Sequence, residues 1–144
     1  MVGLRDRYAA VSVIIRRRHG CHEYLVQDVE YKDGGVVTKF VGGKEEPEDN
    51  GNPQKTIREE VEEETGLRLR DSVEAKILLE SVTKRGNPLF FFLLWRGNFK
   101  GNIRRDVIHD DRAKLYPPRW ITRAELEKQI CPTHRPVLDL LPAY

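Results

Sequence analysis

Segment 52–66 constrains the fold most, because it carries signals for both the start and the end of one helix. Asn52 suits the N-cap position, and Pro53 suits the first helical position. Gly66 suits the left-handed conformation that commonly follows the last turn of a helix. The sequence therefore predicts a helix over residues 53–65.

The predicted helix carries three acidic residues on one face. At about 100° per residue, Glu64 lies near 40° from Glu60, and Glu63 lies near −60°. Ile57 and Val61 fall beside that face and form the stripe that anchors the helix to a sheet. Carboxylate oxygens at this spacing suit Mg²⁺ or Mn²⁺, which keep several waters and accept phosphate oxygens from a substrate.

The helix belongs to an acidic block in an otherwise basic chain. Residues 44–66 contain nine acidic and three basic residues, a charge of −6; because the whole chain carries +2, the remainder carries +8. A solvated helix face and a metal-binding helix both have this composition. The spacing of the carboxylates favours the second interpretation.

Apolar runs on both sides of the helix predict a sheet. The expected strands are residues 8–15, 24–29, 36–41, 75–82, 89–95 and 119–122. Two further helices are expected at residues 123–130 and 136–141. Strands with helices between and after them predict a mixed β-sheet covered on both faces, an α/β fold.

Length and composition indicate one domain over residues 1–144 in a reducing compartment. The hydrophobic fraction of 39% argues against intrinsic disorder, and no apolar run approaches the ~20 residues that a membrane helix needs. The N-terminus lacks the apolar stretch of a signal peptide. Cys21 and Cys131 do not form a CxxC pair, so we expect free thiols and a cytoplasmic protein.

Residues 60–67 resemble the end of the motif that defines the Nudix hydrolases, the family that includes MutT. The motif is written G-x5-E-x7-R-E-U-x-E-E-x-G-U, where U is a bulky aliphatic residue, and EVEEETGL matches its last eight positions without a gap. The preceding FVGGK looks like the Gly-Gly-Lys turn of the family. The resemblance implies an α/β/α sandwich on a mixed β-sheet. It also implies metal-dependent hydrolysis of the phosphoanhydride bond in a nucleoside diphosphate linked to another moiety.

The resemblance also implies roles for residues of this site. Glu63 and Glu64 would be the principal ligands of Mg²⁺ or Mn²⁺. Glu60 would be a further ligand or would help to deprotonate the attacking water, and the Gly42 carbonyl would complete the metal shell. These four residues are the expected catalytic centre.

Other expected site residues lie outside the motif. Many members of the family use an acidic residue in the loop before the final strand, and we favour Asp111 for this role over Asp106 and Asp110. The residues expected to bind the substrate are Tyr31, Phe40 and Lys44. Several basic residues either clamp phosphates or solubilise strand ends: Arg16, Arg17, Arg18, Lys84, Arg85, Arg104 and Arg105.

Two positions depart from the family motif. Asp49 stands where the motif has its first Glu, and Glu59 occupies the Arg position, with Arg58 one residue earlier. These departures leave open a nucleotide- or RNA-binding protein on the same scaffold with weak or lost catalysis. The partner we expect is a small-molecule nucleotide, not a nucleic acid or a membrane, and the N-terminal strand is available to pair across a homodimer.

Overall fold

The computed structural model describes residues 7–46 and 49–142, and a mixed sheet forms its centre. Strand β1 (Ala9–Arg18) pairs in parallel with β7 (Pro88–Trp95), which pairs antiparallel with β6 (Lys76–Val82). Along its other edge β1 has two antiparallel partners. Its first half pairs with β4 (Val41–Lys44), and its second half pairs with β2 (Cys21–Tyr31).

The remaining strands extend this sheet or form a small separate one. Those that pair directly with β2 are β3 (Val36–Lys39), β10 (Ala113–Leu115) and β11 (Arg119–Thr122). Strand β9 (Ile108–His109) pairs with β10, and β5 (Arg68–Leu69) pairs with β8 (Phe99–Lys100). The helices are α1 (Pro53–Thr65), α2 (Arg123–Gln129) and two short 3-10 helices, Arg96–Asn98 and Arg135–Leu140.

Alternate residues of β1 face two separate cores. Ala10 and Ile14 pack in one core with Ile57 and Val61 of α1. The intervening residues of β1 pack in the other core with α2, which contributes Leu126, and with the C-terminal 3-10 helix. The sheet is therefore covered on both faces, and the predicted α/β/α sandwich is confirmed.

Helix α1 has the predicted bounds and the predicted caps. The Asn52 side chain accepts a hydrogen bond from the Gln54 N–H at 3.0 Å. Gly66 has a φ of 84°, and its N–H donates to the Glu62 carbonyl. Both ends of the helix are thus satisfied by residues adjacent in the sequence, which is why the sequence alone predicts them.

The prediction of one strand over residues 36–41 is wrong, because the chain forms two strands with Phe40 between them. Strand β3 pairs with β2, whereas β4 pairs with β1. Phe40 lies outside both strands, and its N–H donates to Nδ1 of His134 at 3.2 Å while its ring stacks on the imidazole. Burial lowers the pKa of His134 to about 3, so this acceptor stays uncharged at neutral pH.

The other predicted elements of the sheet, and helix α2, are confirmed within a few residues at their ends. The predicted helix over residues 136–141 is a 3-10 helix instead. Its six residues are too few for a settled run of i→i−4 bonds, and Val137 and Leu141 donate three residues back, to His134 and Leu138. Among the helices of the described chain, none has both the length and the apolar character needed to cross a membrane.

The N-terminal strand, which the sequence left available for pairing across a homodimer, has neighbouring strands on both edges in the structure. Strand β1 is interior to the sheet, with β7 on one edge and β4 and β2 on the other. Its backbone groups are therefore already paired within the chain.

Gly66 and Gly86 have nearly equal φ angles but different surroundings. Substituting each of them therefore distinguishes the cost of backbone strain from the cost of steric contact. Gly86→Ala should lower the free energy of unfolding by about 1–2 kcal/mol, because φ is 83° and nothing lies within 4 Å of the new Cβ. Gly66→Ala should lower it further, since the new Cβ would lie 2.9 Å from the Asn102 carbonyl oxygen. Urea denaturation of both variants measures the difference. Equal losses would contradict the close packing of loop 102–104 on the end of α1.

Candidate active site

Helix α1 directs Glu64 into the gap between β4 and β2. The Glu64 Oε1 atom accepts a hydrogen bond from Gln27 Nε2 of β2 at 2.6 Å and from the Gly42 N–H of β4 at 3.3 Å. The gap exists because β1 pairs first with one of these strands and then with the other. One carboxylate therefore joins the helix to both strands.

Glu60 lies against Gly43, one helical turn before Glu64. A Cβ atom on Gly43 would lie 2.5 Å from both Cδ and Oε2 of Glu60. The carboxyl group of Glu60 also forms a hydrogen bond with that of Glu64. A side chain at position 43 would thus displace Glu60 from its partner.

Burial and the neighbouring carboxyl group of Glu64 raise the free-energy cost of ionising Glu60, whereas burial alone raises that of Glu64. Burial raises the pKa of Glu60 to about 9, helped by the charge of Glu64 and by their hydrogen bond, and further by the charges of Glu63 and Glu46. Burial also raises the pKa of Glu64, although the hydrogen bonds that it accepts oppose the shift. In the absence of a cation, the pair therefore retains a proton at neutral pH.

The structure brings together some of the expected ligands and not others. Glu60 and Glu64 share a face with Gly42 beside them, whereas the Glu63 side chain is exposed, although its charge still raises the pKa of Glu60. Within residues 7–46 and 49–142, no three His, Cys, Asp or Glu side chains are grouped closely enough to hold one ion.

The donor chemistry nevertheless fits a hydrated divalent cation. Gln27 Oε1 and Ser12 Oγ are buried without a hydrogen-bond partner in the described part of the chain. Both residues lie on the strands that border the Glu60–Glu64 pair, and all of these donors are hard oxygens. Mg²⁺ keeps several of its waters, so it does not need a complete protein cage. A cation would also replace the proton that holds the two carboxyl groups together.

The remaining expected residues lie in different places. Phe40 is fully buried on His134, and Tyr31, 37% exposed, lies at the end of β2 that is remote from β1. Asp111 is exposed in the turn between β9 and β10. Within the described chain, no hydrogen bond or ion pair joins Tyr31 or Asp111 to Glu60 or Glu64. Lys44 is exposed and follows Gly43 directly.

Among the described residues, no ion pair or side-chain hydrogen bond joins Arg58 to a glutamate. Its guanidinium donates to the carbonyls of Leu69 and Arg70, at 3.4 and 3.3 Å, and to that of Val73. Arg58 therefore holds the segment that follows α1, and it does not replace the arginine of the family motif.

Asp49, in the position of the first Glu of the motif, is 1% exposed. Its Oδ2 atom accepts hydrogen bonds from Thr56 Oγ1 at 2.7 Å and from the Glu46 N–H at 2.9 Å. Although burial raises the pKa of Asp49, these bonds and the charge of Lys55 lower it overall. Lys55 also forms an ion pair with Glu59 at 3.9 Å. A lysine one turn before Glu59 thus supplies positive charge where the motif has arginine.

The sequence analysis missed the observed roles of three residues near the site. Gln27 is a buried polar residue that directly follows the apolar pair Leu25 and Val26 in β2. Its place at the end of that apolar run was the available sequence signal. Glu46 acts on Glu60 only through its charge. Arg104 donates to the Glu64 carbonyl and, at 3.1 Å, to that of Tyr116, and a loop arginine gives no sequence signal for such contacts.

The stability of the cation-free protein should depend on the proton held by Glu60. Because the folded pKa of about 9 lies above the ordinary value of 4.5, the stabilisation is complete below pH 4.5 and is lost as pH rises towards 9. Glu60→Gln has no such proton to lose and should remove most of this pH dependence. Urea denaturation with a chelator across this pH range tests the expectation, with the exposed Glu62→Gln as the control. If the free energy of unfolding of Glu60→Gln changed with pH as steeply as that of the wild type, the proposed role of the Glu60 proton would be contradicted.

Comparisons with known proteins agree with this fold. The chain is similar to the MutT structure from work on Aliivibrio salmonicida and Vibrio cholerae, with 16% identity, a TM-score of 0.66 and coverage of 94% of this chain and 95% of that one. A MutT Nudix hydrolase from Burkholderia pseudomallei gives 20% identity, a TM-score of 0.63 and coverage of 94% and 98%. An Ap4A hydrolase from C. elegans gives 16%, 0.59, and 92% of each chain.

At these identities the structural likeness shows the fold alone, and the family follows from the sequence. No protein with a curated description matches at a significant level. The family model described as NUDIX domain, however, matches residues 6–141. The chain therefore belongs to the Nudix family.

Proposed function

We propose that the protein uses Mg²⁺ or Mn²⁺ to hydrolyse the phosphoanhydride bond of a nucleoside diphosphate linked to another moiety. The observation that carries this proposal is the half-buried Glu60–Glu64 pair, where the pKa of Glu60 is raised to about 9. Gly43 of β4 lets Glu60 lie directly against the strand backbone, because a Cβ atom there would meet the Glu60 carboxyl group. Such a pair needs a proton or a cation between its oxygens, and a polyphosphate substrate arrives with divalent cations bound.

The proposed ligands are Glu60, Glu63, Glu64 and the Gly42 carbonyl. In an extended strand, the N–H and C=O of one residue leave the backbone on the same side. Because the Gly42 N–H is directed at Glu64, its carbonyl faces the same gap. Glu63 reaches the site from the exposed side of the helix, where the substrate and the waters of the cation are accommodated.

A bound Mg²⁺ would neutralise charge on the phosphoryl group and lower the pKa of a water molecule. The protein's own contribution is position and proton transfer. Gln27 and the Gly42 N–H hold one oxygen of Glu64, which prevents that carboxylate from rotating. When a cation replaces the proton of the pair, Glu60 would be ionised, and its carboxylate would then be able to accept the proton of the attacking water.

We propose that Lys44 contacts the substrate phosphates, since it follows Gly43 at the rim of the site. Phe40 would contribute to substrate binding through its backbone and as part of the cavity wall. Tyr31 and Asp111 would contact the substrate only when it draws their exposed segments towards the site. Structures with this fold include one complexed with ADP-ribose and an Ap4A hydrolase, and a small-molecule nucleotide substrate is consistent with both. Free Cys21 and Cys131 are consistent with a cytoplasmic location.

A second candidate is a nucleotide-binding protein with lost catalysis, favoured by the exposed position of Glu63. Incubating the protein with a panel of nucleotides, with and without Mg²⁺, separates the two by release of phosphate or of a nucleoside monophosphate. Release that requires Mg²⁺ supports hydrolysis. Nucleotide binding without release supports the second candidate.

Glu63→Gln and Glu64→Gln should each lower kcat by about a hundredfold or more, because each removes a negative ligand from the cation. Glu62→Gln, exposed on the same helix beside Glu63, should leave kcat within about twofold. Steady-state rates on the best substrate of the panel measure all three. Similar losses in the three variants would show that these carboxylates act only through general charge.

Arg58→Ala should lower the free energy of unfolding by about 1–3 kcal/mol, because three backbone carbonyls lose a charged donor. Mn²⁺ affinity should stay within about twofold, since among the described residues no ion pair or side-chain hydrogen bond joins Arg58 to a glutamate of the site. Arg68→Ala, at an exposed position of β5, is the matched control for charge. A large loss of Mn²⁺ affinity in Arg58→Ala alone would mean that Arg58 does orient the metal ligands.

A further inference from the structure

Strand β4, which carries the two glycines of the site, has little support of its own. It is four residues long, and within the described chain its one strand partner is β1. Gly42 and Gly43 have no side chains to pack, and a cavity of about 180 Å³ adjoins both of them. Close packing therefore does not hold this part of the strand, and its start needs a fixed point elsewhere.

The imidazole of His134 lies at the start of β4 and is held in one orientation. Its Nδ1 atom accepts the Phe40 N–H at 3.2 Å, one residue before the strand begins. The ring is buried and stacks on the ring of Phe40, with 5.7 Å between centroids and 12° between planes. It meets the ring of Phe91 edge-on at 5.6 Å. Aromatic contacts on two sides keep Nδ1 directed at the Phe40 N–H.

The backbone that carries His134 is itself fixed by a turn. The His134 N–H donates to the Cys131 carbonyl at 3.1 Å, and Pro132 supplies the φ angle that suits the second position of such a turn. The Cys131 N–H donates to the Thr38 carbonyl at 2.9 Å. The next side chain, Arg135, donates to two carbonyls at the end of α2, at 2.8 and 3.0 Å. The turn therefore holds the chain both at the end of β3 and at Phe40.

A short stretch of backbone joins this contact to the site. Phe40 and Gly42 are two peptide units apart, a reach of at most about 7 Å. The Gly42 N–H donates to Glu64 Oε1 at 3.3 Å, so a small shift of β4 away from α1 would break this bond. Among the described residues, Gln27 would then be the remaining donor to that oxygen. With one donor in place of two, the Glu64 carboxylate can rotate.

We propose that His134 is a positioning residue for the reaction, because it fixes Phe40 and thereby keeps the Gly42 N–H on Glu64. Within the described chain, no hydrogen bond or ion pair joins His134 to Glu60 or Glu64, so its influence passes through the backbone of residues 40–42. The effect on the reaction rests on the proposed function. The effect on the bond between Gly42 and Glu64 does not.

The first test observes that bond without a cation or a substrate. His134→Phe and His134→Leu both remove the acceptor, and only the first keeps an aromatic ring, so either variant decides the test if the other does not fold. In protein labelled with ¹⁵N-glycine and kept in a chelator, the Gly42 amide proton should move upfield. Its hydrogen exchange should become at least about tenfold faster, because its bond to Glu64 is lost.

His134→Asn is the conservative variant, because its side-chain oxygen lies near the position of Nδ1 and accepts the Phe40 N–H again. It should return the Gly42 resonance towards that of the wild type. An unchanged Gly42 resonance in the variants without an acceptor would overturn the proposal. A shift in His134→Asn as large as theirs would also overturn it.

The matched control for stability is Val137→Ala. Val137 is fully buried in the same 3-10 helix and in the same core as Phe40, so its truncation leaves a cavity without removing the Phe40 contact. The Gly42 resonance should stay at its wild-type position in this variant. If Val137→Ala changed that resonance as much as His134→Phe at a similar loss of stability, His134 would act only through stability and the proposal would be overturned.

The second test connects the contact to the metal. His134→Phe and His134→Leu should weaken Mn²⁺ binding about tenfold, while His134→Asn should stay within about threefold and Val137→Ala within about twofold of the wild type. Wild-type affinity in the two variants without an acceptor would overturn the proposal and leave the proposed function standing. If the wild-type protein binds no Mn²⁺ but the Gly42 resonance responds as expected, the proposed function fails and the role of His134 in holding Gly42 on Glu64 stands.

Discussion

The site depends on the exchange of partners along one edge of β1. Because β4 pairs with the first half of this strand and β2 with the second, their backbones separate and leave unpaired donors facing α1. Glu64 accepts from one donor on each side of the gap, Gln27 and the Gly42 N–H. The carboxylate that we propose as a metal ligand is thus also the contact that joins the two separated strands.

The same exchange explains the glycines and the break at Phe40. The chain changes its pairing partner from β2 to β1 between β3 and β4, within the single residue Phe40. His134 accepts a hydrogen bond from the Phe40 N–H at that point. A Cβ on Gly42 would lie 2.3 Å from the Ala10 carbonyl oxygen, and one on Gly43 would meet Glu60. Both glycines are therefore required by contacts on opposite sides of the same short strand.

The sequence predicts those features whose causes lie close together in the chain. The caps of helix α1 lie next to it in the sequence, and the strands coincide with apolar runs. The predicted bounds of these elements are therefore close to the observed ones. The break at Phe40 was missed because its cause, His134, lies 94 residues away. The contacts of Gln27 and Arg104 with Glu64 were missed for the same reason, since each residue lies in a distant element. Local pattern revealed the carboxylates, and only the fold reveals what holds them.

Arg104 links three parts of the chain that are otherwise separate. Its guanidinium donates to the last turn of α1 at the Glu64 carbonyl, to the Asp106 carbonyl and to the Tyr116 carbonyl. The segment between those last two carbonyls contains the β9–β10 hairpin, which carries Asp111. One side chain therefore connects the hairpin to the backbone of Glu64, which we propose as a metal ligand. The position of the outer loop and the alignment of the carboxylate pair thus depend on the same arginine.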